Sequence, residues 1–248
     1  NGAIYNTEEL ITRFSLKVKS KNEAAVLLEL YELKGESFIN YIRGMFSIIL
    51  VDKRDGSLLV TRDILGIKPL YWVNMEDRVI FSSSLNAIPE RLLPYATAFP
   101  PGEVWINNTF RDKIKTEVLE FNNIENLLLD TVTSHIPKEV KWGCSLSGGV
   151  DSSLLCALAK SKGHSFNCYT LDTGGGADLE AAKEVSRYLD LPLRLVKVTE
   201  LDIENAFPKI VKSLGTFQSE LILGGLFTYF ISKEAYADGL KVLLFGEG

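Results

Sequence analysis

The chain has 248 residues, 46% of them hydrophobic, and a formal net charge of −5. That length supports one large domain or two ordinary ones, each with its own core. A mildly acidic chain without basic clusters argues against nucleic acid or an anionic membrane surface as the main partner, and the lack of an uncharged apolar run of about 18 residues argues against a membrane span.

The first residues lack the basic start and apolar core of a secretory signal, so a cytoplasmic protein is expected. Cys144, Cys156 and Cys168 have no metal-type spacing and read as reduced thiols. Only two histidines occur, His135 and His164, too few for a histidine-rich metal site, and neither is given a catalytic role.

Taken in order, residues 22–32 predict a helix, with Ala24, Leu27, Leu28 and Tyr31 on one face and Val26 and Leu30 widening it. Residues 46–52 and 57–62 are apolar, β-branched runs around the turn Lys53-Arg54-Asp55-Gly56, which predicts a hairpin. Residues 70–73 and 78–81 predict a second. This half reads as antiparallel sheet plus helices, and the polar stretch 110–123 reads as a linker. Beyond it the pattern changes. Helices are expected at 124–134, 152–160, 178–189, 203–214 and 221–237, and strands at 142–146, 166–171, 193–198 and 242–245. Such alternation implies a parallel sheet with helices on its faces, and ligands at the carboxyl ends of its strands.

The strongest local signal is Ser147-Gly148-Gly149-Val150-Asp151-Ser152-Ser153, between a predicted strand and a predicted helix. Two glycines permit a sharp turn and a close approach to a ligand. The helix start then offers unpaired N–H groups to an anion, and the hydroxyls of Ser147, Ser152 and Ser153 would add donors. Asp151 makes sense there if Mg2+ is present to hold pyrophosphate oxygens. The glycine-lysine-serine/threonine end of a Walker loop is absent, as is the dinucleotide glycine pattern. Leu171-Asp172-Thr173-Gly174-Gly175-Gly176 and Phe245-Gly246-Glu247-Gly248 end two other strands and would border the same crevice. Arg62 and Asp63 read as an ion pair holding a turn, Lys68-Pro69 as the turn before Leu70, and Trp72, Trp105 and Trp142 as core or interface residues.

The loop resembles the PP-loop of ATP pyrophosphatases, and the chain as a whole resembles glutamine-dependent asparagine synthetases. The resemblance rests on Asn1-Gly2-Ala3-Ile4-Tyr5-Asn6, Gly44-Met45-Phe46-Ser47, the long run from Arg62 to Tyr71, Phe99-Pro100-Pro101-Gly102, Ser134-His135 ahead of the loop, and Phe245-Gly246-Glu247-Gly248, all in order. It implies a partial N-terminal-nucleophile (glutaminase-type) sandwich over 1–115 and a PP-loop parallel α/β synthetase domain over 116–248, incomplete at its C-terminus. It also implies adenylation of aspartate by ATP with Mg2+, then amide formation with ammonia. Leu146, Leu171 and Gly246 would border the nucleotide. Ser147, Gly148, Gly149, Asp151, Ser152 and Ser153 would hold pyrophosphate and Mg2+. Glu247 would act beside the reacting carboxylate. Asn1, Gly2 and Glu23 would be remnants of a glutamine site, and a homodimer is compatible with the family.

The sequence also departs from that pattern. Ala3 stands where the family has a glutamate that grips the glutamine amine, Glu23 stands for an aspartate, and Asn1 offers no nucleophile, so no glutaminase activity is expected of the chain as given. Relative to the family it is expected to be cut at both ends. Leu223-Gly224-Gly225 replaces an Arg-Ala-Ser-type stretch, which leaves the acid substrate open. Alternatives are another adenylating enzyme, such as a β-lactam-forming relative, or a non-catalytic binding member. PP-loop enzymes that modify tRNA fit the loop but not the first-half motifs or the acidic charge.

Overall fold

The computed structural model describes residues 1–20, 22–111, 113–115 and 123–246. They form two compact units, Asn1–Glu120 and Phe121–Gly248. The expected linker falls largely outside the described residues, as do Glu247 and Gly248. No helix among the described residues is long and apolar enough to cross a membrane.

The first unit contains β1 (Gly2–Ile4), α1 (Thr7–Phe14), α2 (Glu23–Lys34), β2 (Gly44–Val51), β3 (Leu58–Arg62), β4 (Tyr71–Asn74), β5 (Val79–Ser82), β6 (Thr97–Ala98), β7 (Val104–Ile106) and β8 (Thr109–Phe110). One sheet has the order β1-β2-β3-β7-β8 and a second the order β5-β4-β6, with antiparallel neighbours throughout. Alternation along β3 sets the layers. Leu59 faces a core shared with Leu10 of α1 and Val26 and Leu30 of α2. Val60 faces the other way, into a cluster with Leu70, Phe99 and Trp105 that Trp72 and Phe81 join.

Both predicted hairpins form, with Val51 opposite Leu58 and Asn74 opposite Val79. The α2 face is displaced from the expected one. Val26 and Leu30 are fully buried, Leu27 and Tyr31 half-buried, and Leu28 and Ala24 exposed. Asn22 caps the helix by accepting from the Ala24 N–H at 2.8 Å.

Arg62 and Asp63 hold a turn, but not by pairing with each other. The buried Asp63 carboxylate accepts four backbone N–H groups: Phe46 at 3.2 Å, Leu65 at 3.1 Å, Ile67 at 2.9 Å and Lys68 at 3.1 Å. The Arg62 guanidinium donates to the carbonyls of Lys68, Phe99 and Gly66. One side chain collects the loop's donors and the other its acceptors, so the backbone of 63–69 is fixed without regular structure.

The second unit contains α3 (Ile124–His135), β9 (Trp142–Ser145), α4 (Val150–Ser161), β10 (Asn167–Asp172), α5 (Ala177–Leu189), β11 (Leu193–Lys197), α6 (Glu200–Leu214), α7 (Ser219–Ala237) and β12 (Val242–Leu244). The sheet order is β11-β10-β9-β12, every pairing parallel. Cys144, Leu146 and Cys168 face α4 and α5 on one side. Tyr169 and Val196 face α6 and α7 on the other. The sheet is thus covered on both faces, as a parallel sheet requires. From β9 the chain steps outward to β10 and β11, then returns across to place β12 on the far side of β9. The strand order therefore reverses between β9 and β12, and a crevice opens at their carboxyl ends.

Two outcomes follow. Asp63→Asn puts an NH2 group where backbone donors converge, so equilibrium urea unfolding should show a loss of about 2–4 kcal/mol; an unchanged midpoint would contradict the role assigned to the carboxylate. Asp52, which the Arg54 side chain and backbone N–H grip and to which the Tyr31 hydroxyl donates, has its carboxyl held well below the usual carboxylate range. Its stabilisation is therefore complete above the unfolded value of about 4 and is lost as pH falls through the folded value. Asp52→Asn should be less stable than the parent at pH 7, with the gap narrowing steadily below about pH 4; a pH-independent gap would show that charge is not involved.

Candidate active site

The loop between β9 and α4 is closed by two serines. Leu146 makes the last sheet bond, donating its N–H to the Tyr169 carbonyl at 2.9 Å. The Ser147 N–H donates to Ser152 Oγ at 3.2 Å, the two Oγ atoms lie 3.0 Å apart, and the Ser152 hydroxyl donates to the Gly149 carbonyl at 3.2 Å. Gly149 N–H returns to Ser147 Oγ at 3.3 Å. Each hydroxyl has one proton to give. Both Oγ atoms take part in hydrogen bonds inside the loop, so Ser147 and Ser152 shape the turn.

Ser153 differs. Its Oγ is buried with no hydrogen-bond partner, and its N–H already opens the helical pattern by donating to Gly149 O at 3.1 Å. A buried hydroxyl without a partner is costly unless something accepts from it. Gly149 stands at the helix N-cap with no side-chain cap, so the N–H groups of Val150, Asp151 and Ser152 lack intrahelical acceptors. Asp151 is exposed, and its carboxylate accepts no hydrogen bond from the described residues.

Close approach explains the glycines. Gly148 adopts φ 84°, and a Cβ there would stand 2.6 Å from the Ala182 nitrogen. At Gly246, after β12, a Cβ would stand 2.5 Å from the Ser152 nitrogen, so the strand end runs against the head of α4. Gly148, Gly149, Asp151, Ser152, Ser153 and Gly246 are therefore brought together. The Leu146 side chain is not: it is fully buried in the core, and only its backbone borders the crevice. Leu171 packs toward the α6–α7 side. Beyond it, Asp172 Oδ1 accepts the Gly174 N–H at 3.0 Å, an Asx turn that opens an exposed triple-glycine loop. Asp172 was missed as a loop-setting residue, although aspartate two positions before glycine is a readable turn signal. Glu247 lies outside the described residues.

The thiols lie beneath the loop. Cys144, Cys156 and Cys168 are buried and free, with Cys156 and Cys168 Sγ atoms 3.9 Å apart. Hydrogen bonding to Cys144 and burial push the Cys156 thiol up, and hydrogen bonding to Cys156 and burial push Cys168 up. Cys156 and Cys168 stay protonated and are not nucleophiles.

In the first unit Asn1 and Gly2 open the edge strand. Asn1 exchanges backbone bonds with Ser47, its ammonium donating at 3.1 Å and its carbonyl accepting at 2.8 Å. Gly2, at φ 149°, leaves no room for a Cβ, which would stand 2.1 Å from the Met45 carbonyl oxygen. Glu23 is exposed at the head of α2, near enough to Tyr5 to help burial and Asp63 raise that phenol's pKa. No hydrogen bond among the described residues joins Glu23 to Asn1 or Gly2.

The family model for asparagine synthase matches residues 123–248, and that for a glutamine amidotransferase domain matches residues 1–90. The chain belongs to the asparagine synthase family. Asparagine synthetases [glutamine-hydrolyzing] of Zea mays and Oryza sativa subsp. japonica are 28% and 30% identical over 272 aligned residues, which take in 100% of this chain and 46% of each relative. The chain thus spans about half the length of the curated relatives it matches. Among solved structures, the glutamine phosphoribosylpyrophosphate amidotransferase from B. subtilis, complexed with ADP and GMP, overlaps with a TM-score of 0.40 at 12% identity, over 91% of this chain and 71% of that one. The two family matches fall on the two units of a mixed α/β fold, with the parallel sheet in the second.

For this asparagine synthase family member the donor set fits Mg2+ that arrives with ATP. Asp151 offers a carboxylate with no other partner, and no group of three or more metal-type side chains is assembled among the described residues. Mg2+ commonly takes one or two carboxylates and completes its octahedron with phosphates and water.

The glycines make a direct test. Gly148→Ala meets both a positive φ and backbone atoms, and should lower the thermal midpoint by an amount equivalent to about 1–3 kcal/mol. Gly149→Ala, whose Cβ would find only Ser147 Oγ at 3.4 Å, should be tolerated. Equal effects of the two changes would contradict the close approach to α5.

Proposed function

We propose that this ligase adenylates a carboxylic acid with ATP and transfers the acyl group to ammonia. The carboxylate oxygen attacks the α-phosphorus as the bond to pyrophosphate breaks. Ammonia then attacks the acyl carbon, AMP leaves with the bonding pair, and the nitrogen loses a proton to give the amide. The supporting observation is the head of α4, where three N–H groups without intrahelical acceptors and the orphan Ser153 hydroxyl meet at the reversal of strand order. Adenylation asks for stabilisation of charge on the departing pyrophosphate and for close positioning, more than for a covalent nucleophile.

In this proposal the N–H groups of Val150, Asp151 and Ser152 and the Ser153 hydroxyl receive the pyrophosphate. Asp151 would hold the Mg2+, which supplies charge neutralisation when bound. Backbone of Leu146 and Gly246, with Leu171 across the crevice, borders the nucleoside. Glu247 is assigned a place beside the reacting carboxylate by family resemblance alone. Aspartate is the reference acid, because the relatives are named for asparagine synthesis. Ala3 offers only a methyl group where the resemblance implies an amine-gripping glutamate, so free ammonia is proposed as a better nitrogen source than glutamine. A cytoplasmic location goes with this reading.

The test is ATP–pyrophosphate exchange in the full natural protein across a panel of carboxylic acids. Ser153→Ala should lower exchange by about 10–100-fold with an unchanged melting curve, as loss of one preorganised donor does. Undiminished exchange in that variant would remove Ser153 from the site. Nucleotide binding without exchange for any acid would identify a binding member of the family instead. Amide formation should run faster with ammonium than with glutamine at equal concentration, and the reverse order would restore the glutamine site.

A further inference from the structure

Beyond β10 stand glycines that packing does not ask for. Gly148 and Gly246 are glycine because a Cβ would strike backbone, whereas a Cβ on Gly174, Gly175 or Gly176 would find nothing within 4 Å. Their φ angles are 103°, 117° and 138°, a backbone that other residues rarely adopt. What an unbroken run of such residues adds to a short loop is freedom to rearrange.

The ends of this loop are fixed and its middle is not. Asp172 closes β10; its carbonyl accepts the Val198 N–H at 3.2 Å and its carboxylate the Gly174 N–H at 3.0 Å. On the other side Gly176 is the N-cap of α5, its carbonyl accepts the Glu180 N–H at 3.3 Å, and Leu179 is buried. Between these anchors Thr173, Gly174, Gly175 and Gly176 are exposed. The N–H groups of Gly175 and Gly176 donate to no acceptor among the described residues.

A contact places this loop beside the anion site. A Cβ on Gly148 would stand 2.6 Å from Ala181 Cβ and 2.6 Å from the Ala182 nitrogen, so the β9–α4 turn rests on the second turn of α5. Helices α4 and α5 share one core on the same face of the sheet. Helix α5 starts at the carboxyl edge of the strands and runs back to the start of β11, so its head points outward, past that contact. From Ala182 to Gly176 it rises about 9 Å. The glycine loop thus overhangs the turn that leads into α4.

Resting on the nucleotide site proposed above, we infer that residues 173–176 form a lid that closes over the triphosphate at the head of α4. Asp172 and the head of α5 are its hinges. Closed, the lid turns the N–H groups of Gly175 and Gly176 toward phosphate oxygens and displaces water from them. Open, it admits the nucleotide and releases pyrophosphate. The glycines carry no side chain that would obstruct either position.

The experiment is rapid-quench hydrogen–deuterium exchange of the full natural protein, alone, with MgATP and with AMP. MgATP should slow the amides of residues 173–176 by about tenfold or more, and AMP, which lacks the outer phosphates, should leave them near the unliganded rate. Gly175→Pro, which holds φ at about −65° where the open loop needs a positive value, should slow ATP–pyrophosphate exchange by about tenfold. Its melting curve should be unchanged, because the position is exposed and open. Protection at residues 150–153 without protection at 173–176 overturns the lid and leaves the nucleotide site standing. Undiminished ATP–pyrophosphate exchange in the folded Gly175→Pro protein overturns the lid as well. Protection at neither segment removes the nucleotide site, and the lid with it.

Discussion

The contact on which the second unit turns is the approach of Gly246 to the head of α4. Parallel strands β9 and β12 are neighbours only because the chain, after two outward steps, crosses back. That crossing brings the end of β12 against the first turn of α4, so closely that a methyl group would overlap the Ser152 nitrogen. The helix start is thereby fixed from one side by Gly246 and from the other by Gly148 against α5. With its position set by backbone contacts, the serine pair closes the loop, and the first three N–H groups of α4 keep no intrahelical acceptor. Preorganised donors of this kind need little rearrangement when charge arrives.

The amidotransferase-like unit applies the same economy to a different loop. Between Arg62 and Leu70 there is no helix or strand, yet the loop's backbone groups are collected by two side chains that ignore each other. Asp63 takes N–H groups and Arg62 takes carbonyls. A simple pair of opposite charges would have contributed little at a surface. Bonded to backbone instead, each charge is satisfied several times over and the loop behaves as a rigid element. Ile64, Leu65 and Ile67 are left exposed on that rigid frame.

Much of this was legible in the sequence, and the exceptions have physical causes. The helices and strands of the second unit are long and strongly patterned, and each was placed to within about three residues. The first unit was harder. Helix α1 spans two turns and commits only Leu10 fully to the core, too little periodicity to see. Strands β6, β7 and β8 have two or three residues each and draw their identity from partners distant in sequence. The α2 face was misjudged because Val26 and Leu30 lie among apolar neighbours on every side, and only packing against β2 and β3 decides which stripe is buried. At the candidate site the residue types were readable but not the division of labour. Nothing in Ser147, Ser152 and Ser153 as letters says that two would bond each other and the third would be left without a partner. That distinction arises from where α4 begins.

The charge pattern at the strand ends bears on the nucleotide proposed for the site. A helix start can offer partial positive charge to an anion, but only within its first turn. A triphosphate carries far more charge than that, and no lysine or arginine stands on residues 146–153 or 173–180 to take up the difference. The carboxylates there repel a bare anion and attract a divalent cation. The proposed nucleotide would therefore suit this edge best in company with a divalent cation, for which the Asp151 carboxylate is free of other partners among the described residues.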